Sequence, residues 1–145
     1  MGRVKIEPAK KPLFVADVPV RITDLNYGGH VGNDALLGIL HEARVQFLRH
    51  FGFSESDVAG AGIIMTDATI VYAAQIAYGE RLAVEVGLTE VRGSGADLSY
   101  LVLSGGREVA RAITGIAFYD YASRRIARAP SAFRALLEAP PAAGS

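Results

Sequence analysis

The sequence contains no cysteine, which excludes a disulfide framework and a thiolate zinc site. Neither charge is in excess, since 15 lysines and arginines balance 15 aspartates and glutamates. Nucleic acid as the main partner would need a strong positive surplus, so none is expected. No apolar run approaches the roughly 20 residues that cross a bilayer, so no membrane partner is expected either. Residues 1–11 are polar and basic, without the apolar core of about 7–15 residues that marks a secretory signal. A soluble cytoplasmic protein is the resulting expectation. Several chemical motifs are also missing. His41-Glu42-Ala43-Arg44-Val45 begins like a zinc-protease helix but has no second histidine at position 45. Gly93-Ser94-Gly95 is a turn, not a Gly-x-Ser-x-Gly elbow. Residues 28–32 lack Gly-x-Gly-x-x-Gly spacing, and no Gly-Lys-Ser/Thr loop occurs. No metal and no cofactor are expected.

What is present fits one domain. The chain has 145 residues, half of them apolar, enough for a full core. The expected limits are a loose leader over 1–12, a single domain over 13–138 and a disordered Pro/Ala tail over 139–145. In residues 13–23 Phe14, Ala16, Val18, Val20 and Ile22 alternate with polar positions, which predicts a half-buried strand. Pro19 inside it gives no N–H and predicts an edge or a bulge. From Asn33 or Asp34 to about His50, Leu36, Leu37, Leu40, Ala43, Phe47 and Leu48 recur at helical spacing, and Gly52 ends the run. Apolar residues on most sides predict a helix enclosed by other structure, and Gly38 inside it predicts close approach of another backbone. Ser54-Glu55-Ser56-Asp57 has the form of a capped short helix reaching Ala59. Four strands are then expected, over 63–78, 81–91, 97–103 and 108–121, with Gly105-Gly106 as a hairpin turn. On the last of them Ala110, Ala112 and Thr114 are small enough for a helix to lie close. A short helix over 130–137 closes the chain. The connections are too short for parallel crossovers. The predicted class is α+β, one five-stranded antiparallel sheet around one long central helix.

The stretch between the first strand and the helix, residues 21–34, concentrates chemistry. The first N–H groups of a helix lack partners within it and favour negative charge, including charge developing on a carbonyl oxygen. Gly28, Gly29 and Gly32 let a substrate approach the backbone. Asp24 is a candidate base for water or a nucleophile toward a carbonyl. Asn26, His30 and Asn33 are candidates to orient a water, a leaving group or the carboxylate. Each has a plain structural alternative. Asp24 can cap a turn, Asn33 can cap the helix, and Asn26 and His30 can be turn residues. Glu42 can polarise the site or bond its helix neighbours. His41 reads as a packed helix residue, and His50 as a favourable charge at the helix end. Tyr27, Phe47, Phe51, Phe53 and Met65 suit either an apolar pocket or the core.

Residues 21–48 resemble the hotdog-fold acyl-CoA thioesterases of the 4-hydroxybenzoyl-CoA thioesterase type. Many bacterial members carry Arg-x-x-Asp-x-Asp-x-x-Gly-His-Val-Asn-Asn and then a helix with Glu-Ala-Arg. Here Arg21, Asp24, Asn26, Gly29, His30, Val31, Gly32 and Asn33 keep that spacing, followed by Glu42-Ala43-Arg44. Gly79-Glu80 stands where Gly-Asp is usual. Asn26 replaces the second acid, as in plant acyl-carrier-protein thioesterases, and Gly32 replaces the first Asn of the pair. These departures bear on substrate choice and leave the reaction class in place. The resemblance implies a hotdog fold and hydrolysis of an acyl-CoA or acyl-carrier-protein thioester. Asp24, His30 and Asn33 would be catalytic. Asn26, Gly29 and Gly32 would bind substrate, with Thr66 and Asp67 reaching it from a second subunit. A homodimer or homotetramer is implied. The rivals are a hotdog acyl hydratase or dehydratase, and a non-catalytic acyl-CoA-binding module.

Overall fold

Strict alternation of apolar and polar residues builds a sheet with one dry face. The computed structural model describes residues 4–143. Its elements are β1 (Phe14–Pro19), α1 (Asn33–His50), β2 (Gly62–Tyr72), β3 (Arg81–Val91), β4 (Gly95–Ser104), β5 (Arg107–Asp120), β6 (Arg125–Ile126) and α2 (Ser131–Arg134). Turns of 3-10 helix occupy Ile22–Asp24 and Ala135–Glu138. All pairings are antiparallel, in the order β1-β3-β4-β5-β2, and β6 pairs with β5. The class is α+β, as expected. The sheet has six strands rather than five, because Tyr119 and Asp120 at the end of β5 pair with Ile126 and Arg125. No helix among the described residues is long and apolar enough to cross a membrane.

The dry face carries Ala16 and Val18 of β1, Leu82, Val84 and Val86 of β3, Leu98, Tyr100 and Val102 of β4, and Ala110, Ala112 and Ile116 of β5. Against it α1 buries Leu36, Ile39, Leu40, Ala43, Phe47 and Leu48. Each large apolar side chain so buried contributes about 1.5–3 kcal/mol. The helix stops where Gly52, at φ +83°, turns the chain. Gly52 N–H then donates to the Arg49 carbonyl at 3.0 Å and Phe53 N–H to the Leu48 carbonyl at 2.8 Å. Those two bonds are the Schellman closure that a glycine at C′ permits. Gly105 and Gly106, at φ +59° and +81°, make the expected tight hairpin.

Several expectations need correction. The first strand ends at Pro19, on the sheet edge where a missing N–H costs nothing. The chain then coils, leaving Ile22 65% exposed instead of in the core. Residues 54–59 are not helical. Ser54 bridges Asp57 and Val58 bridges Ala61, so the backbone pairs within two tight turns. β2 stops at Tyr72, and the residues after it run irregularly to a bridge between Ala77 and His30. α1 has 18 residues, and Leu37, Gly38, His41 and Glu42 stay exposed along it, so the sheet does not enclose the helix. Among the described residues no other backbone comes close to Gly38 on its side-chain side. A Cβ built there meets nothing within 4 Å. The small residues of β5 do not bring α1 close either. The helix lies nearest β1 and β3, and the space beside Thr114 holds the Tyr100 hydroxyl and the Arg44 guanidinium.

Of the expected leader and tail, residues 1–3 and 144–145 lie outside the described residues. Ile6 is buried, and Ala9 N–H donates to Ser99 Oγ at 3.0 Å. Gly87 makes that crossing possible, since a Cβ there would stand 2.6 Å from the Cβ of Ala9. Ala142 N–H donates to the Pro12 carbonyl at 2.9 Å.

Candidate active site

The glycine-rich stretch forms a closed loop before α1. Asn26 N–H donates to the His30 carbonyl at 2.8 Å, and Gly29 N–H donates to the Asn26 carbonyl at 3.1 Å. Gly29 holds φ +82°, which a side chain would strain. Asn26 Oδ1 accepts the Gly28 N–H at 2.9 Å and the His30 N–H at 3.4 Å. Val31 N–H donates to the Ile76 carbonyl at 2.8 Å, and Gly32 N–H to the Asp24 carbonyl at 3.1 Å.

The loop therefore uses its own amides at Gly29, His30, Val31 and Gly32. The open donors come one step later. Gly32, not Asn33 or Asp34, is the residue before the helix, and no side chain caps it. Leu36 N–H is the first to bond back into the helix, to the Gly32 carbonyl at 3.3 Å. Asn33, Asp34 and Ala35 thus present amide N–H groups with no partner inside the helix. Those N–H groups and the helix dipole can stabilise an oxyanion.

Asp24 is buried, with its side chain only 7% exposed. Its Oδ2 accepts the Arg21 backbone N–H at 2.8 Å, and its Oδ1 accepts Arg21 Nη2 at 3.2 Å. In return the Asp24 hydrogen bond and charge raise the pKa of Arg21. Ionised carboxylate has about four acceptor sites, so room remains for a water. Asp24 lines a cleft of about 370 Å³ together with Arg21, Gly38, Ile39, His41 and Glu42. Glu42 is held there by Gln46 Nε2, 2.7 Å away.

Asn26, His30, Gly32 and Asn33 line a second cleft, of about 410 Å³, with Tyr72 and Gln75 on its far wall. The structure brings those four together and leaves Asp24 in the neighbouring cleft. The Asp24–Gly32 backbone bond is the ridge between the two. Thr66 and Asp67 line neither. They sit at a bulge in β2, and Thr66 Oγ1 donates to Asp67 Oδ1 at 2.6 Å. Both lie over Gly115 of β5, where a Cβ would stand 2.1 Å from Asp67 Oδ1. Of the candidate pocket residues, Phe47 is in the core, Tyr27 is fully exposed, and Met65 lines a groove.

Two residues acquire positions that sequence reasoning did not give them. Tyr72 hydroxyl donates to the Asn33 carbonyl at 3.0 Å and so ties β2 to the helix start. Glu80 accepts the Ala77 N–H and the Ser104 hydroxyl and pairs with Arg107 at 3.5 Å. The Ser104 bond, then the Ala77 bond, holds its carboxyl below the usual value. Ala77 in turn bridges His30, so Glu80 braces the loop from behind. The Gly79-Glu80 turn was the only sequence signal for it. Among the described residues no cluster of three or more His, Asp or Glu could hold a metal.

The comparisons agree with this architecture. Among curated proteins none matches the sequence significantly. In structure the chain is similar to the PA2801 protein of Pseudomonas aeruginosa, at 22% identity and TM-score 0.80, over 88% of this chain and 99% of that one. It is similar to Slr0204, a 1,4-dihydroxy-2-naphthoyl-CoA thioesterase from Synechocystis, at 22% identity and TM-score 0.77, over 88% and 98%. It is also similar to the gentisyl-coenzyme A thioesterase BH1999, at 19% identity and TM-score 0.76, over 85% and 98%. Residues 20–137 match the family model of the thioesterase-like superfamily, and the chain belongs to that family of hotdog-fold thioester hydrolases.

Proposed function

We propose that the protein hydrolyses acyl-CoA thioesters and that Asp24 is its base or nucleophile. The observation that carries this reading is a buried carboxylate in a cleft beside an uncapped helix start. The thioester carbonyl accepts hydrogen bonds from the open amides of Asn33 to Ala35. Asp24 takes a proton from water as the water oxygen bonds to the carbonyl carbon. The C–S bond then breaks, and the proton passes to the CoA thiolate. Alternatively the carboxylate attacks the carbonyl carbon and expels the CoA thiolate, and water then opens the mixed anhydride to give the free acid and restore Asp24, a proton of the water going to the thiolate. His30 and Asn33, across the ridge, hold the thiol side, and Asn26, Gly29 and Gly32 shape the loop against it. The two thioesterases named above act on aromatic acyl-CoAs, which makes such thioesters sensible first substrates.

The reading includes a homodimer, in which Thr66 and Asp67 belong to the face turned to the partner, or a tetramer of such dimers. It is supported by the two sheet edges. β1 is short and ends in Pro19, whereas β2 has 11 residues and exposes Ile64, Met65 and Tyr72. A long apolar edge calls for cover. A cytoplasmic location goes with an acyl-CoA substrate.

One observation favours a second reading. Both Asp24 oxygens already accept bonds from Arg21, as they would in a purely structural turn. The chain would then bind acyl-CoA without turning it over. Thiol-trapping assays on short, long and aromatic acyl-CoAs separate the two. Hydrolysis reduced about 10²–10⁴-fold by Asp24→Asn is expected. CoA binding without turnover of any substrate would establish the second reading.

A further inference from the structure

We infer that the acyl group crosses α1 at Gly38 and lies in the groove between α1 and β2, where Arg44 holds an oxygen on it. This rests on the thioesterase reading and adds the acyl track and its selectivity.

Gly38 is the first observation. A glycine in a helix interior costs roughly 1 kcal/mol against alanine. Here it is exposed, and among the described residues nothing outside its own helical turn comes within 4 Å of where its Cβ would be. Nothing among the described residues requires the missing side chain. Gly38 also has a particular place. It and His41 line the Asp24 cleft and, equally, the groove on the other side of the helix. A side chain at 38 would stand as a post between the two spaces.

The groove consists of two adjoining spaces of about 270 and 410 Å³, both lined by His41, Arg44 and Met65. Ligand pockets are typically about 300–1,000 Å³. Leu37, Leu40, Met65 and Ile63 give it apolar walls. Its floor is polar. Arg44 is 4% exposed, with Nε on Glu55 Oε2 at 2.9 Å and Nη1 on the Tyr100 hydroxyl at 3.3 Å. The Tyr100 hydroxyl lies 2.7 Å from Thr114 Oγ1. His41 Nε2 lies 2.7 Å from the other Glu55 oxygen. Arg44 Nη2 alone has no partner among the described residues. No fully buried side-chain nitrogen or oxygen among them lacks a partner, so Nη2 keeps some exposure, and Arg44 lines both spaces of the groove.

The guanidinium charge is already matched by Glu55. A neutral acceptor, a hydroxyl or oxo oxygen, therefore suits Nη2 better than a second carboxylate. An unsubstituted alkyl chain would bury that donor unpaired, and such mismatches discriminate strongly between substrates.

The test uses full-length protein, octanoyl-CoA and its omega-hydroxy counterpart, with thiol release, thermal melting and sedimentation as readouts. Gly38→Ala is expected to melt about 2–5 °C higher, because the helix gains. Gly38→Leu and Met65→Trp fill the track from either side, and KM is expected to rise about tenfold or more in both; kcat is expected to stay nearly constant in Met65→Trp, which lies away from the Asp24 cleft. Wild type is expected to favour the hydroxyacyl substrate about tenfold to a hundredfold in kcat/KM. Arg44→Met combined with Glu55→Gln, which leaves no unpaired charge, is expected to abolish that preference. Unchanged kinetics in both Gly38→Leu and Met65→Trp would overturn the track. Equal use of the two substrates by wild type would overturn the role of Arg44. A change in mass of Gly38→Leu without a change in KM would show that a second copy covers Gly38, and would also overturn the inference. If wild type releases no thiol from any acyl-CoA, it is the thioesterase reading that has failed.

Discussion

The two sides of α1 are built differently. Toward β1 and β3 the helix is sealed by Ile39, Ala43 and Phe47 against Ala16, Val18, Val84 and Val86, all buried and apolar. Toward β2 it faces a chain of directional bonds running from His41 through Glu55, Arg44 and Tyr100 to Thr114. An apolar contact fixes where the helix sits and asks little of geometry. A polar chain fixes which atoms face the open space, at a desolvation cost. The sealed side therefore serves the stability of the fold, and the polar side is the one we propose discriminates between acyl groups.

Breaking the sealed side should have the largest effect on stability. Phe47→Ala should lose about 3–5 kcal/mol in urea denaturation. Tyr100→Phe on the polar side leaves Arg44 Nη1 and Thr114 Oγ1 without their partner and should cost less, about 1–3 kcal/mol. A cost for Tyr100→Phe equal to that of Phe47→Ala would erase the distinction between the sides. The smallest effect concerns acid. Burial alone would push the Glu55 carboxyl up, but bonds from His41 and Arg44 outweigh it and leave its pKa lowered. Glu80 is lowered as well, through Ser104 and Ala77. Both bind a proton more weakly folded than unfolded. Their contribution is complete above the unfolded value of about 4.3 and is lost as pH falls through the lower folded values. Stability should thus decline below that pH, and less steeply in Glu80→Gln, as read from melting points across an acid series.

The sequence made much of this visible, for identifiable reasons. β3, β4 and β5 alternate cleanly and are separated by glycine turns, so their limits were legible to within two residues. α1 announced itself through its three- and four-residue spacing and the Gly52 stop. Residues 54–59 misled because a cap-like string depends on what its side chains do. Glu55 turns toward Arg44 and His41 instead of toward a helix start. The Asp24 loop was legible as a unit, since glycines and Asx residues act locally. Its division into two clefts was not, because that follows from where residues 73–76 and β1 pass on either side. The Arg44–Tyr100 bond joins positions far apart in the chain, and no local pattern carries such a contact.

The proposed hydrolysis turns on Asp24. Asn retains an oxygen to accept the Arg21 backbone N–H, so Asp24→Asn should fold and melt close to wild type. Thiol release from the best acyl-CoA substrate, measured for both proteins at matched fold stability, is the direct test. A loss of about 10²–10⁴-fold with an unshifted melting point is the result expected of a base or nucleophile. Turnover within a fewfold of wild type would contradict it and return Asp24 to the role of a turn cap.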